Sequence, residues 1–291
     1  MVKQSSDKKI VVKFGGSSLA DHERLLKAVM AVVNEAKKGT KIAVVVSAMG
    51  KTTDVLLTTA KNTSNGKLQK HELDDIISTY RGKGDYDCIV PFSGGKDSTW
   101  TLYYLVMEYG LKPLVVRFDH EFLRPNLLEN TTRTLCKLGA DLHVFTPNWK
   151  VVQRLMLQSF LEKGDFCWHC HTGIFAYPMW IAVQQQIPLV IWGEPSAEYT
   201  AYFSYDQPEE VDEKRFNRYV NLGITAEDMF VRLEGSVDER YLKPFRYPPL
   251  KELRKVNYRS ICLGSFIPWD VKKQSRIIQG ELGWRGDGRS H

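Results

Sequence analysis

The sequence predicts an α/β fold: a parallel sheet with helices on both faces, preceded by an incomplete βαβ segment. Three observations carry that prediction. From residue 86 onward, short apolar runs rich in β-branched residues alternate with amphipathic stretches, the pattern of parallel strands joined by helical crossovers. Three of those runs end in residues suited to holding a ligand, namely residues 93–98, Asp119-His120 and Gly193-Glu194. Ligands of such sheets collect beyond the carboxyl ends of the strands. The 291 residues, 43% of them hydrophobic, suffice for one large α/β domain or two domains with a real core.

Taken in order, the chain opens with a strand at 9–14, a turn at Gly15-Gly16, a helix at about 21–38, a strand at 42–47 and a helix at about 53–61. That is one βαβ unit, too short to stand alone. The cluster Asn62-Thr63-Ser64-Asn65-Gly66 marks a turn, and residues 69–80 read as a charged helix lying on the surface before Arg81-Gly82-Lys83-Gly84. The boundary is therefore expected near residue 80, giving units 1–79 and 80–291. Strands follow at 87–91, 113–118, 141–145 and 189–192, with helices near 98–109, 126–138, 148–162 and 172–185.

The stretch Ser93-Gly94-Gly95-Lys96-Asp97-Ser98 sits between the first of these strands and its helix. Glycines let the backbone approach an anion without a Cβ in the way, and amides at a helix start direct unpaired N–H groups and a dipole at it. The site suits a pyrophosphate or triphosphate. It is not a Walker loop: Val90 stands where that motif needs glycine and Asp97 where it needs Ser or Thr, and Val45 excludes Gly50-Lys51-Thr52 in the same way. A carboxylate beside bound phosphates suits Mg²⁺, which prefers oxygen donors shared with them. Asp97 and Glu194 are the candidates, with solvated loop acids as the plain alternative for Glu194 and Glu198.

Cys167-Trp168-His169-Cys170-His171 holds two thiols at C-x-x-C spacing and two imidazoles. Cys167 and Cys170 supply at most half a tetrahedral zinc site, so structural Zn²⁺, plain packing or a substrate pocket, and redox use all stay open. Cys88, Cys136 and Cys262 stand alone on apolar segments and read as core. The aromatic C-terminal segments, Gly264-Ser265-Phe266-Ile267-Pro268-Trp269-Asp270 and Glu281-Leu282-Gly283-Trp284, read either as platforms for a sugar or base or as a capping core.

A net charge of +6, scattered over the chain, favours phosphate-bearing ligands only weakly and forms no basic module for nucleic acid. No apolar run reaches the roughly 18–20 residues of a membrane span, and residues 1–9 lack a signal-peptide core. Five cysteines make no disulfide framework. A cytoplasmic setting is expected.

Residues 93–98 resemble the PP-loop of the ATP pyrophosphatases, which cleave ATP between the α and β phosphates. The resemblance implies a PP-loop, adenine nucleotide α-hydrolase-like fold with Ser93, Gly94, Gly95, Lys96, Asp97, Ser98, Asp119 and Gly193 around ATP, and Lys96 and Asp97 as catalytic residues. Lys13-Phe14-Gly15-Gly16-Ser17-Ser18, with Val45-Val46-Ser47-Ala48-Met49-Gly50-Lys51-Thr52-Thr53-Asp54, resembles the beginning of an aspartokinase. In that family the lysine and glycine turn approach the ATP phosphates; here the likeness stops after about the first quarter of the chain. Residues of roughly 72–287, through their segments at 86–100, 164–173, 192–199 and 266–284, resemble the N-acetyl sugar amidotransferases of surface-polysaccharide (O-antigen, lipopolysaccharide) assembly. Such an enzyme adenylates the acetamido group of a nucleotide-linked sugar, and ammonia from a separate class I glutaminase replaces the oxygen. The family also implies a cysteine-containing segment that joins the C-x-x-C around zinc, where this chain has its kinase-like piece. Three other readings stay open: a PP-loop enzyme modifying tRNA, a truncated or fused chain without activity, and an aspartate kinase.

Overall fold

The computed structural model describes residues 9–14, 22–46, 66–193, 220–221 and 223–286, arranged in two compact units, residues 1–68 and 69–291. In the first unit, β1 (Lys9–Phe14) and β2 (Lys41–Val46) flank α1 (His22–Ala36) and pair in parallel from Lys9↔Lys41 to Phe14↔Val46. Apolar side chains remain open on this small sheet, with Val11 74% and Val44 43% exposed. The helix expected at 53–61 lies outside the described residues.

The second unit begins inside α2 (Gly66–Tyr80) and holds a five-stranded sheet. Its elements run β3 (Cys88–Pro91), α3 (Lys96–Met107), β4 (Pro113–Phe118), α4 (Pro125–Leu138), β5 (Asp141–Phe145), α5 (Trp149–Lys163), α6 (Trp168–Gln185) and β6 (Leu189–Trp192). After residues outside the described set come α7 (Ala226–Arg232), a 3₁₀ helix (Glu239–Phe245), α8 (Leu250–Lys255), β7 (Arg259–Cys262), a short 3₁₀ turn and α9 (Val271–Leu282). The strand order is β5-β4-β3-β6-β7, all parallel.

Why the sheet takes this form can be read from its central strand. Cys88, Ile89 and Val90 are fully buried, because both faces are covered and both parities of an apolar run find partners. Cys88 and Val90 pack with Leu102 and Leu105 of α3, whereas Ile89 packs with Ala176 and Met179 of α6. Asp87, buried just before the strand, accepts hydrogen bonds from the Gly82 and Lys112 amides, both at 2.7 Å, and so anchors the turn into β3.

Three expectations need correction. α2 is not a surface linker: Leu73, Ile76 and Ile77 are buried in the same cluster as Cys88 and Leu102, so the division falls at Leu68/Gln69 rather than near residue 80. The reason is an apolar stripe at i, i+3 and i+4 spacing that outweighs the charged residues around it. β7 was not foreseen, because Arg259 and Ser260 leave its four residues without a continuous apolar run, and it closes the far edge of the sheet beside β6. Cys136 is exposed on α4 rather than part of the core, unlike Cys88 and Cys262.

Connections run from β3 to β4 to β5 on one side and to β6 and β7 on the other, so the order reverses between β3 and β6. A crevice opens at the carboxyl ends of strands where such a reversal occurs. The loop after β3 and Gly193 after β6 both lie at that point.

Candidate active site

β3 delivers the chain into the loop with its ladder still engaged, the Phe92 amide donating to the Val116 carbonyl at 2.9 Å. Gly94 then turns at φ +80, and Gly95 returns to extended backbone as the residue preceding α3. A Cβ on Gly94 would lie 2.5 Å from the Leu127 carbonyl oxygen and 2.8 Å from Thr131 Oγ1. Left-handed backbone and close packing against α4 therefore both demand glycine there. No side chain caps the start of α3, which leaves its first-turn amides available to an anion.

The two serines hold the loop loosely. Gly95 N–H donates to Ser93 Oγ at 3.3 Å, Ser93 N–H donates to Ser98 Oγ at 3.3 Å, and Ser98 Oγ donates to the Gly95 carbonyl at 3.3 Å. Bonds this long are weak and are readily exchanged for those of a phosphate oxygen. Lys96 Nζ lies 2.7 Å from both carboxylate oxygens of Asp97. The two charges that the sequence assigns separately to phosphate and to Mg²⁺ thus neutralise one another in this state. Both side chains are partly exposed, so the pair contributes at most about 1 kcal/mol and a ligand splits it at little cost.

A cavity of about 280 Å³ lies beside the loop, lined by Ser93, Asp97 and Ser98 on one wall and Trp192 and Gly193 on another. Phe118, Ile174, Phe175 and Pro178 make its apolar side. Trp192 stacks on Phe175 with centroids 5.0 Å apart and donates from its indole to Ser260 Oγ at 2.9 Å, which fixes that wall. Gly173 lets the Phe118 ring lie against α6, since a Cβ there would stand 2.2 Å from the ring. Gly193 is equally constrained: a Cβ would come within 2.9 Å of Thr101 Oγ1 on α3.

Asp119 is engaged locally, its Oδ1 accepting the Glu121 amide at 2.9 Å, and its neighbours Arg117 and His120 line the cavity instead. Burial lowers the His120 pKa below the usual imidazole value, and its Nδ1 accepts the Phe122 amide at 3.2 Å. A neutral ring accepting at Nδ1 carries its proton on Nε2. The sequence placed His120 at this strand end together with Asp119 but gave no sign of Arg117. Glu194, the second proposed Mg²⁺ ligand, lies outside the described residues, as do Glu198 and Tyr199. Asp97, a carboxylate at the cavity wall, fits an Mg²⁺ shared with phosphate oxygens.

The Cys-His segment forms the first turn of α6, with Cys167 just before it. Cys170 is pushed up to about 12 and Cys167 is also raised, in both cases chiefly by burial, so these thiols hold their protons. Among the described residues no group of three or more His, Cys, Asp or Glu side chains converges to hold a metal. The zinc expected at Cys167 and Cys170 thus finds no third ligand among the described residues. Trp168 is fully buried and donates to the Ile224 carbonyl at 2.9 Å, tying α6 to the segment before α7. His169 is also fully buried, with neither ring nitrogen hydrogen-bonded, and burial first, then His120, lowers its pKa to about 4. Its ring meets Phe122 edge to face, 6.1 Å between centroids.

A larger cavity, about 720 Å³, shares no lining residue with the first. Its charges are largely satisfied internally, Arg246 pairing with Glu227 at 2.8 Å and Glu239 at 2.7 Å. The 280 Å³ cavity is the better candidate because it adjoins the loop.

The amino acid kinase family model matches residues 8–113, a little over a third of the chain. The aspartokinase of Geobacillus stearothermophilus is 49% identical over 70 residues, covering 24% of this chain and 17% of that enzyme. Aspartokinase 2 of Bacillus subtilis is 43% identical over 70 residues with the same coverage. An uncharacterised protein of Methanocaldococcus jannaschii is 31% identical over 94 residues, 32% of this chain and 34% of its own length. The chain thus spans about a sixth of the length of the aspartokinases it matches. Among solved structures, a predicted subunit of tRNA methyltransferase from Methanocaldococcus jannaschii aligns over 69% of this chain and 92% of its own, at 16% identity and a TM-score of 0.29. That superposition is too loose to bear on the fold, which rests on the sheet itself.

Proposed function

We propose that the second unit binds ATP at residues 93–98 and uses it to adenylate an amide oxygen, that of the N-acetyl group on a nucleotide-linked sugar, which ammonia then replaces. The observation that carries this reading is the Gly94-Gly95 turn, held open to an anion where the strand order reverses. An amide carbon resists ammonia until its oxygen becomes a leaving group. Attack of that oxygen on the α-phosphorus forms the new P–O bond and expels pyrophosphate. Ammonia then adds at the carbon, loses a proton, and AMP departs to leave an acetamidino group.

The residues present suit those steps. The Gly94 and Gly95 amides, the Ser93 and Ser98 hydroxyls and Lys96, once released from Asp97, hold the β and γ phosphates and offset charge on the departing pyrophosphate. Asp97 takes Mg²⁺, which supplies charge neutralisation along the phosphates. The apolar wall of Phe118, Phe175 and Trp192 excludes water that would hydrolyse the adenylated amide. A class I glutaminase supplies the ammonia, and the product enters surface-polysaccharide synthesis.

The test supplies MgATP, ammonia and a set of nucleotide-linked N-acetyl sugars and identifies the products. AMP and pyrophosphate are expected, formed only when sugar and ammonia are both present; ADP would overturn the reading. A second reading attaches to the first unit, where the amino acid kinase match begins before running on to residue 113 of the second. Lys13 with Gly15 and Gly16 would there approach ATP, and aspartate-dependent ADP formation is its signature.

A further inference from the structure

The C-terminal Glu281-Leu282-Gly283-Trp284 motif takes no part in the chemistry above, yet it reaches the phosphate loop. Gly283 ends α9 at φ +68 and turns the chain back, so that the Trp284 ring packs against the cluster of Trp100, Ile278 and Leu282. Its indole N–H donates to the Gly94 carbonyl at 3.0 Å, across 190 positions of sequence. α4 fastens the same segment: Arg133 donates to the Gly283 carbonyl at 2.7 Å, and Asn130 exchanges two hydrogen bonds with the Arg285 backbone at 2.8 and 2.9 Å. Lys137 adds a third tie, to the Glu281 carbonyl at 2.7 Å. The loop is thus held between α4, which touches the Cα side of Gly94, and the indole, which takes its oxygen.

We infer that Trp284 is a positioning residue for nucleotide binding: by holding the Gly94 carbonyl it fixes the Gly94-Gly95 peptide so that the Gly95 N–H faces the phosphates. The argument is geometric. In a trans peptide the carbonyl and the following N–H point in opposite directions, so anchoring one aims the other. Two adjacent glycines offer little steric resistance to a flip of the peptide between them. A flipped peptide would present a carbonyl oxygen to the phosphates where a donor is needed. The Gly95 N–H meanwhile rests on Ser93 Oγ at 3.3 Å, a bond weak enough to yield to a phosphate oxygen.

The inference rests on the ATP reading, and its test separates the two. Binding of MgATP and of inorganic pyrophosphate is measured on the full chain for wild type, Trp284→Phe, a variant carrying β-(3-benzothienyl)alanine at position 284, and Lys137→Ala. The benzothienyl side chain keeps the bicyclic shape and lacks the N–H, so it loses the bond while preserving the packing. Both position-284 variants are expected to bind each ligand about five- to tenfold more weakly, the effect of one lost hydrogen bond. Lys137→Ala, which loosens the segment without touching the loop, is expected to bind as wild type does, and the benzothienyl variant to remain folded at the temperature of the binding measurement. Wild-type affinity in the benzothienyl variant would overturn the inference while leaving the ATP reading standing. Failure of the wild type to bind either ligand would overturn the ATP reading, and the inference with it. If Trp284→Phe does not fold, the benzothienyl variant alone decides.

Discussion

Both units combine a strand, a glycine pair, nearby serines and a helix, in very different surroundings. Around the second pair stand five strands covered on both faces, with Cys88, Ile89 and Val90 fully buried. The first unit's described sheet has two strands, and valines on each are open to solvent. Two-stranded sheets with open faces bury little apolar area and add little stability. The loop at 93–98 owes its shape to groups remote in sequence: the Val116 carbonyl, the Leu127 carbonyl and the Trp284 indole. A strand-glycine-helix motif becomes a site through what packs against it from elsewhere in the chain.

The largest effect that would sharpen this contrast is on turnover. Asp97→Asn is expected to lower formation of AMP and pyrophosphate by at least about 100-fold, because it removes the carboxylate proposed to take Mg²⁺. Lys13→Ala in the first unit is expected to leave that activity unchanged. Equal losses from the two substitutions would break the comparison.

A smaller effect concerns stability. Leu73→Ala is expected to destabilise the second unit by about 2–4 kcal/mol, since Leu73 is fully buried. Val11→Ala, at a side chain 74% exposed, should change stability by less than about 0.5 kcal/mol. Chemical denaturation of both variants decides whether α2 belongs to the second core.

Glycine chemistry gives the next contrast. Gly94→Ala combines left-handed strain with a backbone clash at 2.5 Å and is expected to cost about 2 kcal/mol and to abolish detectable nucleotide binding. Gly139 is also left-handed, at φ +62, but with nothing within 4 Å of an added Cβ, so Gly139→Ala should cost only about 1 kcal/mol.

The last prediction concerns pH. His169 has a folded pKa of about 4 against 6.5 for the free group, so between those values the unfolded chain binds more protons and stability falls as pH falls. From pH 7 to pH 5 the loss is expected to be about 1–2 kcal/mol, and His169→Gln should flatten that part of the stability profile. A profile unchanged by the substitution would show that the ring's burial does not set the acid limit.

Much of the second unit was legible in sequence, because β3, β4, β5 and β6 are apolar runs whose periods persist over the whole element. The loop at 93–98 was legible for a related reason, its glycines and hydroxyls being required locally. What escaped depends on tertiary context. β7 offers only Ile261 and Cys262 as apolar residues, and α2 hides a buried stripe among charges. Arg117 joins the cavity because of where β4 ends, while Asp119 is taken up by its own turn. The aromatic motif at the C-terminus was visible, but the carbonyl it serves was not, since nothing near Gly94 in sequence points to residue 284.

The bond from Trp284 to Gly94 also imposes an order of events during translation. A ribosome emits the glycine turn, then nearly two hundred further residues, before the indole that steadies it leaves the exit tunnel. On the proposed ATP reading, the nascent chain carries an unfinished nucleotide cradle until residue 284 has emerged, and the loop is steadied only after that point.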